Sequence, residues 1–239
     1  MEGMVAQHKA EALRLRDDLY FRKLKLFKYR IKNWYQPHRL EWSFVPFYAH
    51  KCIFVHIPKA AGIAISQSLF NNLGGGHETI QYYQEILKPS DFEHFYKFTI
   101  VRNPWDRLHS AYEYLKSGGF GPNDKTWFLN NLSTFKNFED FVLNWLSKEN
   151  SNAYIHFNPQ VNFLKDQHGK INFDLIGRYE TLSDDVDQIK QRLNIPHKLQ
   201  NKNVNLKKRN YQEAYTKKMI EKVESVYSDD VKIFNYKFQ

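Results

Sequence analysis

Two periodicities divide this chain. Near the N-terminus the apolar positions Tyr20, Leu24, Phe27, Ile31 and Trp34 recur at intervals of 4, 3, 4 and 3, which lines them along one face of a helix. Arg22, Lys23, Lys25, Lys28, Arg30 and Lys32 fill much of the remaining surface. The spacing predicts a basic amphipathic helix over 9–35 that ends before Pro37. Its stripe either docks on the protein's own core or a second subunit, or lies on an anionic membrane surface.

From residue 51 the pattern changes to short apolar runs. K-C-I-F-V-H-I at 51–57 is rich in β-branched residues and stops at Pro58, the signature of a buried strand. A helix is predicted over 63–73, with the glycine-rich LGGGH at 73–77 as its stop. Helices over 80–87 and 91–96 follow, then a second strand at Phe98–Val101. The next helix has Pro104 in its first turn and Gly118–Gly119 beyond its end. Residues 119–134 read as a loop, 137–147 as a helix and 154–164 as mixed. INFDLIGRYETL carries a third strand, leading into a helix near Thr181 with Asp184 placed as in a capping box. That helix stops before Pro196, and residues 211–227 form the last one. Strand, turn and helix repeated three times predict an α/β fold. It is a P-loop-like parallel sheet flanked by helices, preceded by the N-terminal amphipathic helix. Residues 1–45 are an N-terminal basic extension and 46–239 a single domain, with no linker visible after residue 45.

Composition narrows the class. A 42% hydrophobic and 16% aromatic content fits a folded globule. No apolar stretch is long enough to span a membrane, and no apolar signal region occupies the first thirty residues. Cys52 is the only cysteine, so an intrachain disulfide and a cysteine-rich zinc site are both excluded. The expected setting is cytoplasmic, with peripheral membrane association as the alternative. The net charge of +9 suits an anionic partner. Ten Lys/Arg against four Asp/Glu lie in 1–40, and eight against two in 198–222. With no helix-turn-helix, zinc finger or RNP motif present, nucleic acid is not expected as a partner.

The chemistry gathers at two strand-to-helix turns. A helix N-terminus carries unpaired N–H groups and partial positive charge, and so receives phosphate or sulfate. At the first turn Lys59 adds a full charge and Gly62 permits close approach of an anion. The ATP-type G-x-x-x-x-G-K-[ST] is absent, so the anion needs no metal. Alone, this K-x-x-G turn is equally a surface feature. At the second turn Arg102 stands at the C-terminal end of a strand, where ligands of open α/β sheets bind, and a guanidinium grips phosphate bidentately. Ser110 lies eight residues on, roughly two helical turns. Asp106 and Arg107 read as pairing with neighbours. Two anion sites suit a ligand phosphorylated at two positions.

HIPKAAG followed by VRNPWDRLHSAY resembles the PAPS-dependent sulfotransferases, in particular the carbohydrate branch of chondroitin and dermatan sulfotransferases and its bacterial relatives. NFDLIGRYETLSDDV and the closing YQEAYTKKMIEKVESVYSDDVKIFNYKF extend the resemblance over roughly residues 50–239. It implies that Lys59 contacts the leaving 5′-phosphate, that Ala60, Ala61, Gly62, Ile63 and Ala64 form the donor loop, and that Arg102 and Ser110 bind the 3′-phosphate. PAPS is then the donor and PAP the product, with no metal. Sulfuryl transfer resembles phosphoryl transfer, with charge building on the leaving oxygen. The chain departs from the family at Ala60, Ile63 and Ala64, where Thr, Thr and Ser are common. Each lost charge-assisted bond costs roughly 1.5–3 kcal/mol, and Ser66 or Ser68 either compensates or faces solvent.

A proton acceptor is also needed. His77 is the first candidate and Glu78 the second, from the family's placement of a catalytic histidine in a similar segment. His156, in HFNPQ, matches a family H-W-x-P-Q position and is expected on the acceptor side, whereas His56 reads as structural. The acceptor is a hydroxyl, expected on a glycan, with Trp127–Phe128 and Tyr154–Phe163 either stacking on sugar or forming core. The alternative function is a PAP- or PAPS-binding protein without turnover. Oligomeric state is left open, with the N-terminal helix as a candidate contact.

Overall fold

The computed structural model describes residues 40–196 and 210–238. The predicted helix over 9–35 and the basic run at Lys207, Lys208 and Arg209 lie outside the described residues. The chain forms two compact units. The first holds the described residues up to Ile57, then Ala61–Ile100, then Phe163 to 196; the second holds Pro58–Ala60, Val101–Asn162 and the residues from 210 onward.

In the first unit, β1 (Cys52–Val55) is buried along its whole length. It pairs in parallel with β2 (Tyr96–Val101), in a register running from Cys52↔Tyr96 to Val55↔Thr99. β3 (Leu175–Arg178) completes a three-stranded parallel sheet of order β1-β2-β3. Parallel neighbours need a long crossover. Here it runs through α2 (Gly62–Phe70), α3 (Ile80–Ile86) and α4 (Pro89–His94), with α1 (Val45–His50) ahead of β1. The Thr99 hydroxyl donates to Val55 O at 2.8 Å, giving that carbonyl a partner at the edge of the ladder. Lys97 N donates to Asp174 Oδ2 at 2.7 Å and Asp174 N to Lys97 O at 2.9 Å, which ties the segment leading into β3 to β2. Phe54 stacks on Phe98 at 5.0 Å, and Phe44 and Phe47 meet Tyr83 edge-on. These contacts explain why the short β-branched and aromatic runs read as strands.

α2 ends at Phe70, three residues short of the predicted end at Leu73, because Asn71 adopts the left-handed conformation at its C-terminus (φ 54°, ψ 37°). α4 begins two residues earlier than predicted, with Pro89 in its first turn, which frees Tyr96 and Lys97 for the strand. α9 (Leu182–Arg192) follows β3. The anchor of this turn is Asp185, not Asp184: its carboxylate accepts from Arg178 N and from the Thr181 hydroxyl, both at 2.8 Å.

The second unit centres on α5 (Pro104–Lys116), whose apolar face buries Trp105, Leu108, Ala111, Tyr112 and Leu115. Tyr112 stacks on Phe141, which meets Trp145 and Phe157 at 5.2 and 5.4 Å. The expected loop at 119–134 contains α6 (Pro122–Asn131), and the expected helix at 137–147 is a short turn, α7 (Phe138–Asp140), continuing as a π-helical turn over Phe141–Trp145. α6 buries none of its residues, so it left no apolar stripe to read. α8 (Val161–Leu164) begins in this unit. The predicted closing helix is three pieces: a 3-10 turn at Tyr211–Ala214, α10 (Lys217–Val226) and α11 (Ser228–Ile233). Thr216 is the residue that opens α10, its N–H donating to Met219 Sδ. Among the described residues no helix is long and apolar enough to cross a membrane.

Candidate active site

Past Val55 the backbone does something its side chains do not announce. Lys59 (φ 69°) and Ala61 (φ 62°) both take the left-handed conformation, while Ala60 between them does not. For a residue with a Cβ this costs roughly 1–2 kcal/mol, and such strain collects at functional sites. In general, a left-handed residue next to a right-handed one turns successive N–H groups toward a common concavity, a geometry suited to anions. Ala61 then stands before α2 with no side-chain cap on the helix's first N–H groups.

Two guanidinium groups hold this turn. Arg107 Nε donates to Pro58 O and Arg102 Nη1 to Lys59 O, each at 2.9 Å. Arg107 is 2% exposed, and its Nη2 is a buried donor without a hydrogen-bond partner. Arg102 also forms a two-pronged pair with Asp106, Nε to Oδ2 and Nη2 to Oδ1, both at 2.7 Å. These contacts place three of the five N–H donors of a guanidinium. Asp106 and Arg107 thus pair as the sequence suggested. Ser110 follows Asp106 by one helical turn on α5, on the same face, and is partly exposed.

The Lys59 ammonium lies 3.7 Å from the centre of the Tyr114 ring, a cation–π distance. Behind that ring stands Asp124, which sequence reasoning missed. Its carboxylate accepts from the Tyr114 hydroxyl at 2.8 Å, from the Tyr154 hydroxyl and from Phe120 N at 2.9 Å, and lies 3.5 Å from His156 Nε2. Burial opposes its ionisation, yet His156, Tyr154, the Phe120 amide and Tyr114 together hold it well below the usual carboxylate range. Gly119 (φ +65°) is required here, since a Cβ would come within 2.2 Å of the Asp124 side chain. Burial, and then Asp124, pushes both phenols upward, so they stay neutral donors. His156 is 7% exposed and packs against the Tyr114 ring at 4.9 Å. Burial lowers its pKa despite Asp124, and Lys59 and Arg107 push the same way, which favours the neutral imidazole. Tyr154 stacks on Trp127 at 4.3 Å and 18°, while Phe120, next to Asp124, is 81% exposed.

The first unit holds a histidine pair of its own. His77 lies 2.9 Å, through Nδ1, from His56 O, with ring centres 4.3 Å apart. A carbonyl only accepts, so Nδ1 carries the proton and neutral His77 keeps its basic lone pair on Nε2. His56 lies just past β1 and is buried. It occupies the room that Gly62 leaves, because a Cβ there would sit 1.7 Å from the imidazole. Gly62 is therefore demanded by His56, whose ring fills the side on which the sequence suggested that an anion would approach. Ser66 is 1% exposed, its Oγ 3.0 Å from where a Gly74 Cβ would stand, whereas Ser68 faces outward. Ile63 is 45% exposed, and Ala64 and Glu78 are partly exposed.

Lys59, Arg102 and His156 are thus brought together in the second unit, with Tyr114 and Asp124 among them. His77 is joined in the first to His56. No sequence signal pointed to Asp124 or Tyr114, since a lone Asp in a Gly-Pro-Asn stretch reads as turn chemistry. Among the described residues no group of three or more His, Cys, Asp or Glu is placed to hold a metal.

No curated protein and no solved structure matches this chain. A family model does, over residues 42–237, a span that includes both strand-to-helix turns, the HFNPQ segment and the closing helices. With most of its length matched by the model described as the sulfotransferase family, the chain belongs to that family.

Proposed function

We propose that this sulfotransferase moves the sulfuryl group of PAPS to a hydroxyl, on a carbohydrate acceptor, without a metal. The observation that carries the reading is the turn at 58–61. Two left-handed residues and an ammonium stand where β1 hands over to a helix, and two buried arginines hold the turn. That is a cradle for a polyanion.

In this reading Lys59, with the backbone of Ala60, Ala61, Gly62, Ile63 and Ala64, takes the 5′-phosphosulfate. Arg102 and Ser110 take the 3′-phosphate. The acceptor oxygen attacks sulfur as the bond from sulfur to the bridging phosphate oxygen breaks. That oxygen leaves with the electron pair, and Lys59 neutralises its charge. His77 Nε2 receives the acceptor's proton, a role supported by the tautomer that His56 O selects; Glu78 is the second candidate. His156 lines the acceptor side, with the Trp127–Tyr154 stack as a sugar-binding surface. The missing loop hydroxyls favour a second reading, a PAPS-binding protein without turnover.

Both are tested by incubating the full chain with PAPS and a panel of glycans and reading the sulfuryl mass increment. Transfer is expected with wild type. His77→Ala is expected to lower it about 10²–10⁴-fold while binding of adenosine 3′,5′-bisphosphate persists. Nucleotide binding without transfer to any glycan selects the second reading, and undiminished turnover in His77→Ala removes that histidine from the mechanism.

A further inference from the structure

Arg102 stands one residue past the end of β2. Its N–H donates to Gln160 Oε1 at 2.9 Å, and its carbonyl accepts from Gln160 Nε2 at 2.8 Å. A primary amide is the uncharged side chain that offers one donor and one acceptor side by side, so Gln160 serves Arg102 as a strand partner would. Gln160 is fully buried. It is fixed from behind: Gln160 N and Val161 N donate to Asp230 Oδ2 and Oδ1 at 2.8 and 2.9 Å. Asp230, in α11, is itself fully buried, with Arg107 as an opposing charge. An uninterrupted path of bonds therefore runs from Asp230 through residues 160–161 to the Arg102 backbone. From there the guanidinium reaches Asp106 and Lys59 O.

We infer that Gln160 is a positioning residue for Arg102, setting the guanidinium for a 3′-phosphate and thereby setting selectivity for a nucleotide that carries one. The inference rests on the donor reading above. Gln160 touches no reacting atom; it acts by fixing φ and ψ of the residue whose side chain meets the phosphate. A charged Glu cannot donate to the Arg102 carbonyl, and an apolar side chain of the same length leaves both buried main-chain groups without partners.

The test compares adenosine 3′,5′-bisphosphate with adenosine 5′-monophosphate by titration calorimetry on the full chain. Wild type, Gln160→Met, Gln160→Asn and Arg102→Ala are each titrated with both nucleotides. Wild type is expected to prefer the bisphosphate. Gln160→Met and Gln160→Asn should weaken bisphosphate binding by about tenfold or more, the loss of one well-placed charge-assisted contact, and leave monophosphate binding within about twofold. In the Arg102→Ala background, Gln160→Met should change the ratio no further. A preference retained in both Gln160 variants overturns the inference. So does a parallel loss for both nucleotides, or failure of both Gln160 variants to fold while Arg102→Ala folds, since either makes Gln160 a support for the unit as a whole. A wild type without any preference instead refutes the donor reading, and this inference with it.

Discussion

The two strand-to-helix turns each present a cation, and they are built in opposite ways. After β2, Arg102 is wired on every side: its main chain to Gln160, its guanidinium to Asp106 and to Lys59 O. Asn103 caps α5 by accepting from Trp105 N at 3.1 Å, with Pro104 in the first turn. After β1 the turn carries two left-handed residues and α2 has no side-chain cap. The Lys59 ammonium rests on an aromatic face, a softer and less directional contact than a two-pronged ion pair. A rigid cation suits a group that must stay bound throughout; a softly held one suits an oxygen whose charge changes during the reaction.

The largest effect is expected at the softer site. Lys59→Ala should lower kcat about 10²–10³-fold, as loss of a transition-state donor does, while altering bisphosphate affinity far less. Steady-state kinetics beside equilibrium binding reads both, and a loss confined to affinity would reverse the roles assigned to the two turns. Arg102→Ala should show the converse: bisphosphate binding weakened about 10–100-fold, as expected for lost charge-assisted hydrogen bonds, with kcat at saturating donor much less affected. A kcat collapse at saturating donor would erase the distinction.

Tyr114→Leu separates the two cations. It frees Lys59 from the ring and takes one donor from Asp124. A cation–π contact is worth about 0.5–2 kcal/mol, so kcat should move by only a few-fold to about thirtyfold, with nucleotide preference intact. A changed preference would mean that Tyr114 supports Arg102 rather than Lys59.

The smallest effect is on stability. Burial depresses the folded-state pKa of His156, so the unfolded chain binds more protons as pH falls through the ordinary histidine range. Stability is therefore lost on acidification. The depressed Asp124 carboxylate contributes stability above the ordinary carboxylate range and loses it as pH falls toward the folded-state value. Melting curves from about pH 7.5 to about pH 5.5, which brackets the free histidine value, should fall more steeply for wild type than for His156→Gln. Equal slopes would contradict a neutral, buried imidazole.

Much of the fold was legible in the chain. β1, β2 and β3 each stand in an apolar run closed by a turn, and each is followed by a helix. What escaped reading has identifiable physics behind it. α6 buries no residue and so left no periodic stripe. Asn71 stopped α2 before the glycines did, because Asn tolerates the left-handed region. At the candidate site, the residue types at 58–62 were readable as a turn, but neither Lys nor Ala signals a positive φ. The Gln160 contact with Arg102 links residues 58 positions apart, and the Asp124 hub joins α6 to residues 154 and 156. Such long-range polar pairing has no local pattern in a single sequence.

In the proposed function two cationic turns, one built on Lys59 and one on Arg102, serve one doubly phosphorylated adenosine donor. Equilibrium titration of adenosine 3′,5′-bisphosphate into the full chain tests it most directly. Saturable binding is expected, weakened in Arg102→Ala and largely retained in His77→Ala. Absence of measurable affinity in wild type, or affinity indifferent to Arg102→Ala, would contradict it.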